Sequence, residues 1–215
     1  MNKQTKTARE NPGTIEVNQF FQSQGWKPFP FQKKTWQAYG EGKSGLIHAP
    51  TGTGKTFAVW APPLIEWMNQ GKLQKKRPAR LKVLWITPLR ALVEDTNRSL
   101  TELVEGLQLP WTIESRSGDT TGSRKASQRK KFPTALVTTP ESLSLLLSYP
   151  ETRESFSELE TVIVDEWHEL LSTKRGTQTE LCLARLRKWN PLLRTWGLSA
   201  TLGNLKQAMA TLLGN

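Results

Sequence analysis

The sequence has 215 residues, enough for one domain with a full core and a tight fit for two. Its 30 Lys and Arg against 19 Asp and Glu give a formal charge of +11, which favours an anionic partner, nucleic acid being the commonest. The single cysteine, Cys182, excludes a disulfide framework and a Cys-rich zinc site, and with only His48 and His168 a histidine metal site is disfavoured. With no apolar run of the roughly 18 residues a membrane span needs, a cytoplasmic protein without a membrane partner is expected.

Residues 1–14 are polar, carry Pro12 and Gly13, and are expected to form a loose tail without the apolar stretch of a signal peptide. Ile15, Val17, Phe20 and Phe21 are spaced for a short helix within 15–25. The segment 25–31, with Pro28 and Pro30, reads as a loop, and 32–39 as a second helix. A unit then recurs: a short apolar run, a polar turn, a longer amphipathic stretch. The apolar runs are 45–49, 83–87, 135–139, 161–165 and 194–198, with a weaker one at 111–114. The helical stretches are 56–70, 91–105, 141–147, 177–188 and a final 204–213. Strand-length runs alternating with helix-length segments predict an α/β fold built of βαβ crossovers on a parallel sheet.

Two runs are strongly basic: Lys72, Lys75, Lys76, Arg77, Arg80 and Lys82, then Arg124, Lys125, Arg129, Lys130 and Lys131. A charge run is first a solvated face; tracking phosphates is the functional alternative. Nine tryptophans bring large amphipathic area, useful in a core, an interface or base stacking.

Chemistry concentrates at Ala49-Pro50-Thr51-Gly52-Thr53-Gly54-Lys55-Thr56, which follows an apolar run and opens a helical stretch. That is the context of a phosphate-binding loop. Gly52 and Gly54 let the backbone wrap an anion, and the helix N-terminus points amides at it. Lys55 would reach the β- and γ-phosphates of ATP, and the Thr56 hydroxyl would hold Mg²⁺. Ala49 stands where the general pattern has glycine. The run Thr161-Val162-Ile163-Val164 ends in Asp165 and Glu166. There Asp165 reads as the metal partner and Glu166 as the base for an attacking water.

Asp165-Glu166-Trp167-His168, with Ala-x-x-Gly-x-Gly-Lys-Thr upstream of it, resembles the DEXH-box branch of the superfamily 2 helicases. The resemblance covers roughly residues 15–213. It implies a RecA-like P-loop NTPase domain, a mainly parallel β-sheet flanked by helices, over 15–215. By it Thr51, Gly52, Thr53, Gly54, Lys55 and Thr56 bind ATP. Gln32, in a segment similar to the adenine-reading Q motif, pairs with the base, and Trp26 or Phe29 stacks on it. Thr87-Pro88-Leu89-Arg90-Ala91-Leu92 resembles a motif that grips a strand backbone, with Pro88 and Arg90 in contact. Ser117-Gly118-Asp119 and Thr139-Pro140-Glu141 resemble two further backbone contacts. Ser199-Ala200-Thr201 looks like the motif that couples hydrolysis to domain movement, and His168 is implied to touch it. His48 reads as a packed strand residue.

The spelling around these motifs resembles the Lhr proteins, in particular the bacterial ligase-associated DEXH-box helicases. That implies DNA, single-stranded or partly duplex, as the partner, with RNA as the alternative, and a place among DNA-repair proteins. It also implies a second RecA-like domain, which no part of this sequence supplies. The chain is therefore expected to be an excised first domain that binds nucleotide weakly and turns it over slowly or not at all. A nucleic-acid-binding module with a silent ATP site is the competing reading. A small-molecule kinase is a third, but it would leave the Ser-Ala-Thr and Thr-Pro-Glu motifs without a role.

Overall fold

A computed structural model describes residues 11–71 and 80–214. The basic residues Lys72, Lys75, Lys76 and Arg77, and the tail as far as residue 10, lie outside these. Two helices, α1 (Pro12–Ser23) and α2 (Pro30–Gly40), lead into β1 (Gly45–His48) and α3 (Lys55–Asn69). Then come β2 (Val83–Ile86), α4 (Arg90–Gly106), β3 (Ile113–Arg116), α5 (Gly122–Lys130), β4 (Ala135–Thr138) and α6 (Pro140–Ser148). After a 3-10 turn at Pro150–Thr152 follow α7 (Arg153–Ser157), β5 (Thr161–Val164), α8 (Trp167–Leu170), α9 (Lys174–Trp189), β6 (Arg194–Ser199) and α10 (Leu205–Leu213). No described helix is long and apolar enough to cross a membrane.

The expected α/β fold is present, and the described sheet is wholly parallel, in the order β1-β6-β5-β2-β4-β3. Strand side chains alternate faces, and the core divides accordingly. Val83 and Trp85 of β2 join Ile163, Ala135, Val137 and α3 on one face. Leu84 and Ile86 join Val162, Val164 and Leu136 with α6, α9 and α10 on the other. The nine tryptophans are mainly core: Trp36, Trp60, Trp67, Trp85, Trp111, Trp167 and Trp196 are all buried. Indole N–H groups find carbonyls there, Trp60 on Leu100 at 3.0 Å and Trp167 on Ala208 at 2.9 Å.

Three expectations change. Residues 12–14 belong to α1, because Gly13 docks that helix on α3: a Cβ there would lie 2.6 Å from the Ile65 carbonyl oxygen. The Gly13 amide also donates to Asn69 at 2.9 Å. The weaker strand falls at Ile113–Arg116, two residues late, because Trp111 packs edge-on against Trp60 and Trp67 instead of opening it. His48 ends β1 exposed, since β1 is an edge strand. Pro62 and Pro63 sit inside α3, an interior helical position that normally breaks a helix. Burial of nearly every α3 side chain from Ala58 to Leu64 holds it together.

The end of the sheet opposite the motifs is fastened by a polar junction. Tyr39 of α2 shares a 2.6 Å hydrogen bond with Thr161 at the start of β5. Arg194, opening β6, lies 3.9 Å over the Tyr39 ring and pairs with Glu66 of α3 at 2.6 Å. Burial pushes the Tyr39 hydroxyl well above its ordinary pKa, so it stays protonated. Tyr39→Phe strands the buried Thr161 hydroxyl and is expected to lower unfolding free energy by about 1–2 kcal/mol. Urea denaturation checks this; an unchanged midpoint would show that the junction adds nothing.

Candidate functional site

The register of the sheet decides where the motifs lie. His48 stands opposite Ser199, Val164 opposite Ile86, Ile86 opposite Thr138, and Thr138 opposite Arg116. With all strands parallel, every motif that follows a strand emerges on one edge. In spatial order along that edge come the phosphate loop after β1, Ser199–Thr201 at β6, Asp165 and Glu166 after β5, then Thr87–Arg90, Thr139–Glu141 and Ser117–Asp119 after β2, β4 and β3. Open parallel sheets bind ligands outside the carboxyl ends of their strands.

At the β1–β6–β5 end, Thr51, Gly52, Gly54, Lys55 and Thr56 line one cleft of about 220 Å³ with Asp165 and Glu166. Gly52 and Gly54 have φ of 75° and 78°, the left-handed turn their lack of a Cβ allows. Thr53 ties the loop to itself, its hydroxyl donating to Pro50 at 2.7 Å. The Lys55 ammonium is buried and donates to the Ala49 and Pro50 carbonyls at 2.6 and 3.1 Å. Beneath the loop, Gln32 acts as a strut: its Nε2 donates to the Gly54 carbonyl and its Oε1 accepts from the Phe29 amide, both at 2.8 Å. One hydrogen and one lone pair of the amide remain for a base edge. Phe29 is half exposed and stacks on Phe31, while Trp26 packs edge-on against Phe20 and Phe21.

Asp165 is the electrostatic centre. Its Oδ1 accepts from the Glu166 amide at 2.9 Å and its Oδ2 from the indole of Trp85 at 3.3 Å. Burial and then the Glu166 charge push its pKa up to about 6, against the pull of these bonds and Lys55. Trp85 escaped the sequence reading; it lies in β2 opposite Ile163, on the face shared with Asp165 two residues on, and only the register reveals the pairing. Glu166 takes φ 43° and ψ 48°, a strained left-handed conformation for a residue with a side chain. His168 Nδ1 stands 3.3 Å from Glu166 Oε2, and its Nε2 3.4 Å from Glu169. Among the described residues no hydrogen bond joins His168 to Ser199–Thr201; Ser199 instead donates to the Thr201 carbonyl at 3.3 Å.

The β2–β4–β3 end forms a second cluster. Arg90 pairs with Asp119 at 3.5 Å and lies against Gly118, where a Cβ would sit 2.6 Å from its guanidinium carbon. The Ser117 amide donates to Thr120 at 2.9 Å, fixing that loop. Thr139 caps α6 by accepting from the Ser142 amide. Arg175, which the sequence reading passed over, donates to the Pro88 carbonyl at 3.2 Å and pairs with Glu141 at 2.7 Å. Of the basic runs, Lys125 touches this cluster, donating to the Gly118 carbonyl at 2.9 Å.

Because the Asp165 pKa is raised in the fold, the native state holds a proton between about pH 4 and 6 that the unfolded chain has released. Stability therefore falls as pH rises through that window and stays lower above it. In metal-free buffer Asp165→Asn is expected to be more stable than the parent by about 1–3 kcal/mol at pH 7.5, with the gap closing below pH 4. Denaturation at several pH values checks this; equal or lower stability at pH 7.5 contradicts the buried-charge assignment.

Residues 29–208 match the DEAD/DEAH box helicase family. The chain is 36% identical over 196 residues to the ATP-dependent helicase Lhr-Core of Methanocaldococcus jannaschii, covering 86% of this chain and 23% of that protein. It is 32% identical over 208 residues to the Lhr helicase/uracil glycosylase of Escherichia coli, covering 88% of this chain and 13% of that protein. The structure of Mycobacterium smegmatis helicase Lhr bound to ssDNA and AMP-PNP superposes with a TM-score of 0.79 at 33% identity, over 93% of this chain and 26% of that one. The chain thus spans between 13% and 26% of the length of these relatives. With the phosphate loop, the Asp-Glu-x-His strand end and the parallel sheet in place, this chain belongs to the DEAD/DEAH box helicase family.

Proposed function

We propose that this chain is the first RecA-like domain of a DNA helicase motor, binding Mg·ATP at the β1–β6–β5 end of its sheet edge and one strand's backbone at the β2–β4–β3 end. The observation that carries the reading is the single cleft shared by Lys55, Thr56, Asp165 and Glu166, beside a separate cluster built on Arg90, Gly118 and Lys125. The Lhr relative held with ssDNA and AMP-PNP supports it.

In this account Lys55 exchanges the Ala49 and Pro50 carbonyls for phosphate oxygens, which make stronger, charge-assisted bonds. Thr56 and Asp165 offer oxygen ligands that suit a hard divalent cation. A cation fits there because it offsets both influences that oppose ionisation of Asp165, burial and the Glu166 charge. Magnesium, when bound, would neutralise charge on the phosphate oxygens. Glu166, turned into the cleft by its left-handed backbone, takes the proton of the water that attacks the γ-phosphorus as ADP leaves. Gln32 holds the loop from beneath and meets the adenine edge with its remaining valences, and Phe29 supplies the stacking face. Ser199 and Thr201, at the end of β6, and His168, in α8, would couple this cleft to the partner domain that closes over it. Arginines of that domain would complete the charge stabilisation, so the chain alone turns ATP over slowly at most.

Binding separates the two halves. Lys55→Ala is expected to weaken Mg·AMP-PNP binding at least tenfold while leaving oligo-dT affinity unchanged. Arg90→Ala should do the reverse, lowering oligo-dT affinity and reducing its salt slope by about 1. Calorimetry and fluorescence anisotropy read both; a Lys55→Ala variant that binds nucleotide normally, or an Arg90→Ala variant with an unchanged slope, contradicts the corresponding half.

A further inference from the structure

An acid is a poor neighbour for a phosphate backbone, yet Glu141 stands in the first turn of α6, between Pro140 and the capped Ser142. Its local benefit is the helix N-terminus, where a carboxylate is stabilised. Its cost is repulsion of a strand at the same edge. Arg175 resolves the conflict. Its Nε meets Glu141 Oε1 at 2.7 Å while its Nη1 donates to the Pro88 carbonyl at 3.2 Å. A planar guanidinium can hold both acceptors at once, which a lysine ammonium on a flexible stem does less well.

The backbone beneath Arg175 is fixed. Thr173 caps α9 by accepting from the Gly176 amide at 3.1 Å. Gly176 presses on the end of α8 so closely that a Cβ would lie 2.0 Å from the Leu170 carbonyl oxygen. The arginine therefore starts from a rigid point and spans two turns that belong to different strands.

We propose that Arg175 is a positioning residue that ties the Thr87–Arg90 turn to the Thr139–Glu141 turn and cancels the charge of Glu141, so that both turns face a polyanionic strand as one unit. The inference rests on the strand-binding reading given above. It makes Glu141 an anchor for Arg175 and not a strand contact.

Anisotropy with labelled oligo-dT on the 215-residue chain tests it, with Mg·AMP-PNP affinity on the same samples as the check that each variant is folded. Arg175→Ala is expected to weaken strand binding about tenfold and leave nucleotide binding unchanged. Glu141→Gln alone should not weaken strand binding, and Arg175→Ala combined with Glu141→Gln should recover at least threefold of the loss. A double variant as weak as Arg175→Ala would make Arg175 a direct phosphate contact and overturn the proposal. So would an Arg175→Ala variant that binds like the parent, or a Glu141→Gln loss as large as that of Arg175→Ala. Failure of the parent chain to bind oligo-dT would instead sink the strand-binding reading, and this inference with it.

Discussion

Everything in this domain depends on one constraint: the described strands run parallel and end nearly in register. A parallel sheet sends each strand's following turn to the same edge, so six turns scattered over more than 150 residues become one continuous rim. Antiparallel pairing would have divided them between two edges. The strand order then sorts the rim: β1, β6 and β5 bring the phosphate loop to the two acids, and β2, β4 and β3 bring the remaining turns together. The fold thereby yields two neighbouring clusters of motif residues from a single geometric rule. The polar junction of Tyr39, Arg194 and Glu66 lies at the far end, where it can secure the sheet without intruding on either.

The end proposed for nucleotide carries costs that packing alone would not select. Asp165 holds a carboxylate where burial and Glu166 oppose its charge, and Glu166 adopts a backbone conformation that β-carbons disfavour. Trp85, fully buried in the central strand, spends its indole N–H on Asp165 rather than on a carbonyl of the core. Strain and buried charge gathered at one cleft mark a site kept for chemistry, and stability is lost there for function. Gln32 differs: one buried amide ties the Gly54 carbonyl of the phosphate loop to the Phe29 amide at the start of α2.

The strands and the motifs that follow them were legible because apolar runs and punctuating Gly, Pro and acids are local signals. What was not legible is tertiary. Helix α5 shows no apolar stripe because it covers an edge strand and buries only Gln128, which donates to the Ser115 carbonyl at 3.0 Å. Helices α7 and α8, of 5 and 4 residues, are shorter than any periodicity can register. The weak run at 111–114 was misplaced because the large apolar Trp111 serves the tryptophan cluster and not the strand. Arg175 gave only a faint signal, a capping threonine two residues ahead of it, and its partners lie 87 positions away at Pro88 and on α6 at Glu141. Apart from the two short helices, a contact distant in sequence outweighed the local pattern.

The central claim is that one edge of the sheet carries two adjoining but separate sites. Hydrogen exchange measured by mass spectrometry tests it directly, on the chain alone, with Mg·AMP-PNP, and with oligo-dT. The account predicts that nucleotide slows exchange in 49–58 and 165–168, and that the strand slows it in 87–92, 117–121 and 139–143. Protection by either ligand at the opposite edge, around Tyr39, Glu66 and the start of β5, would contradict it.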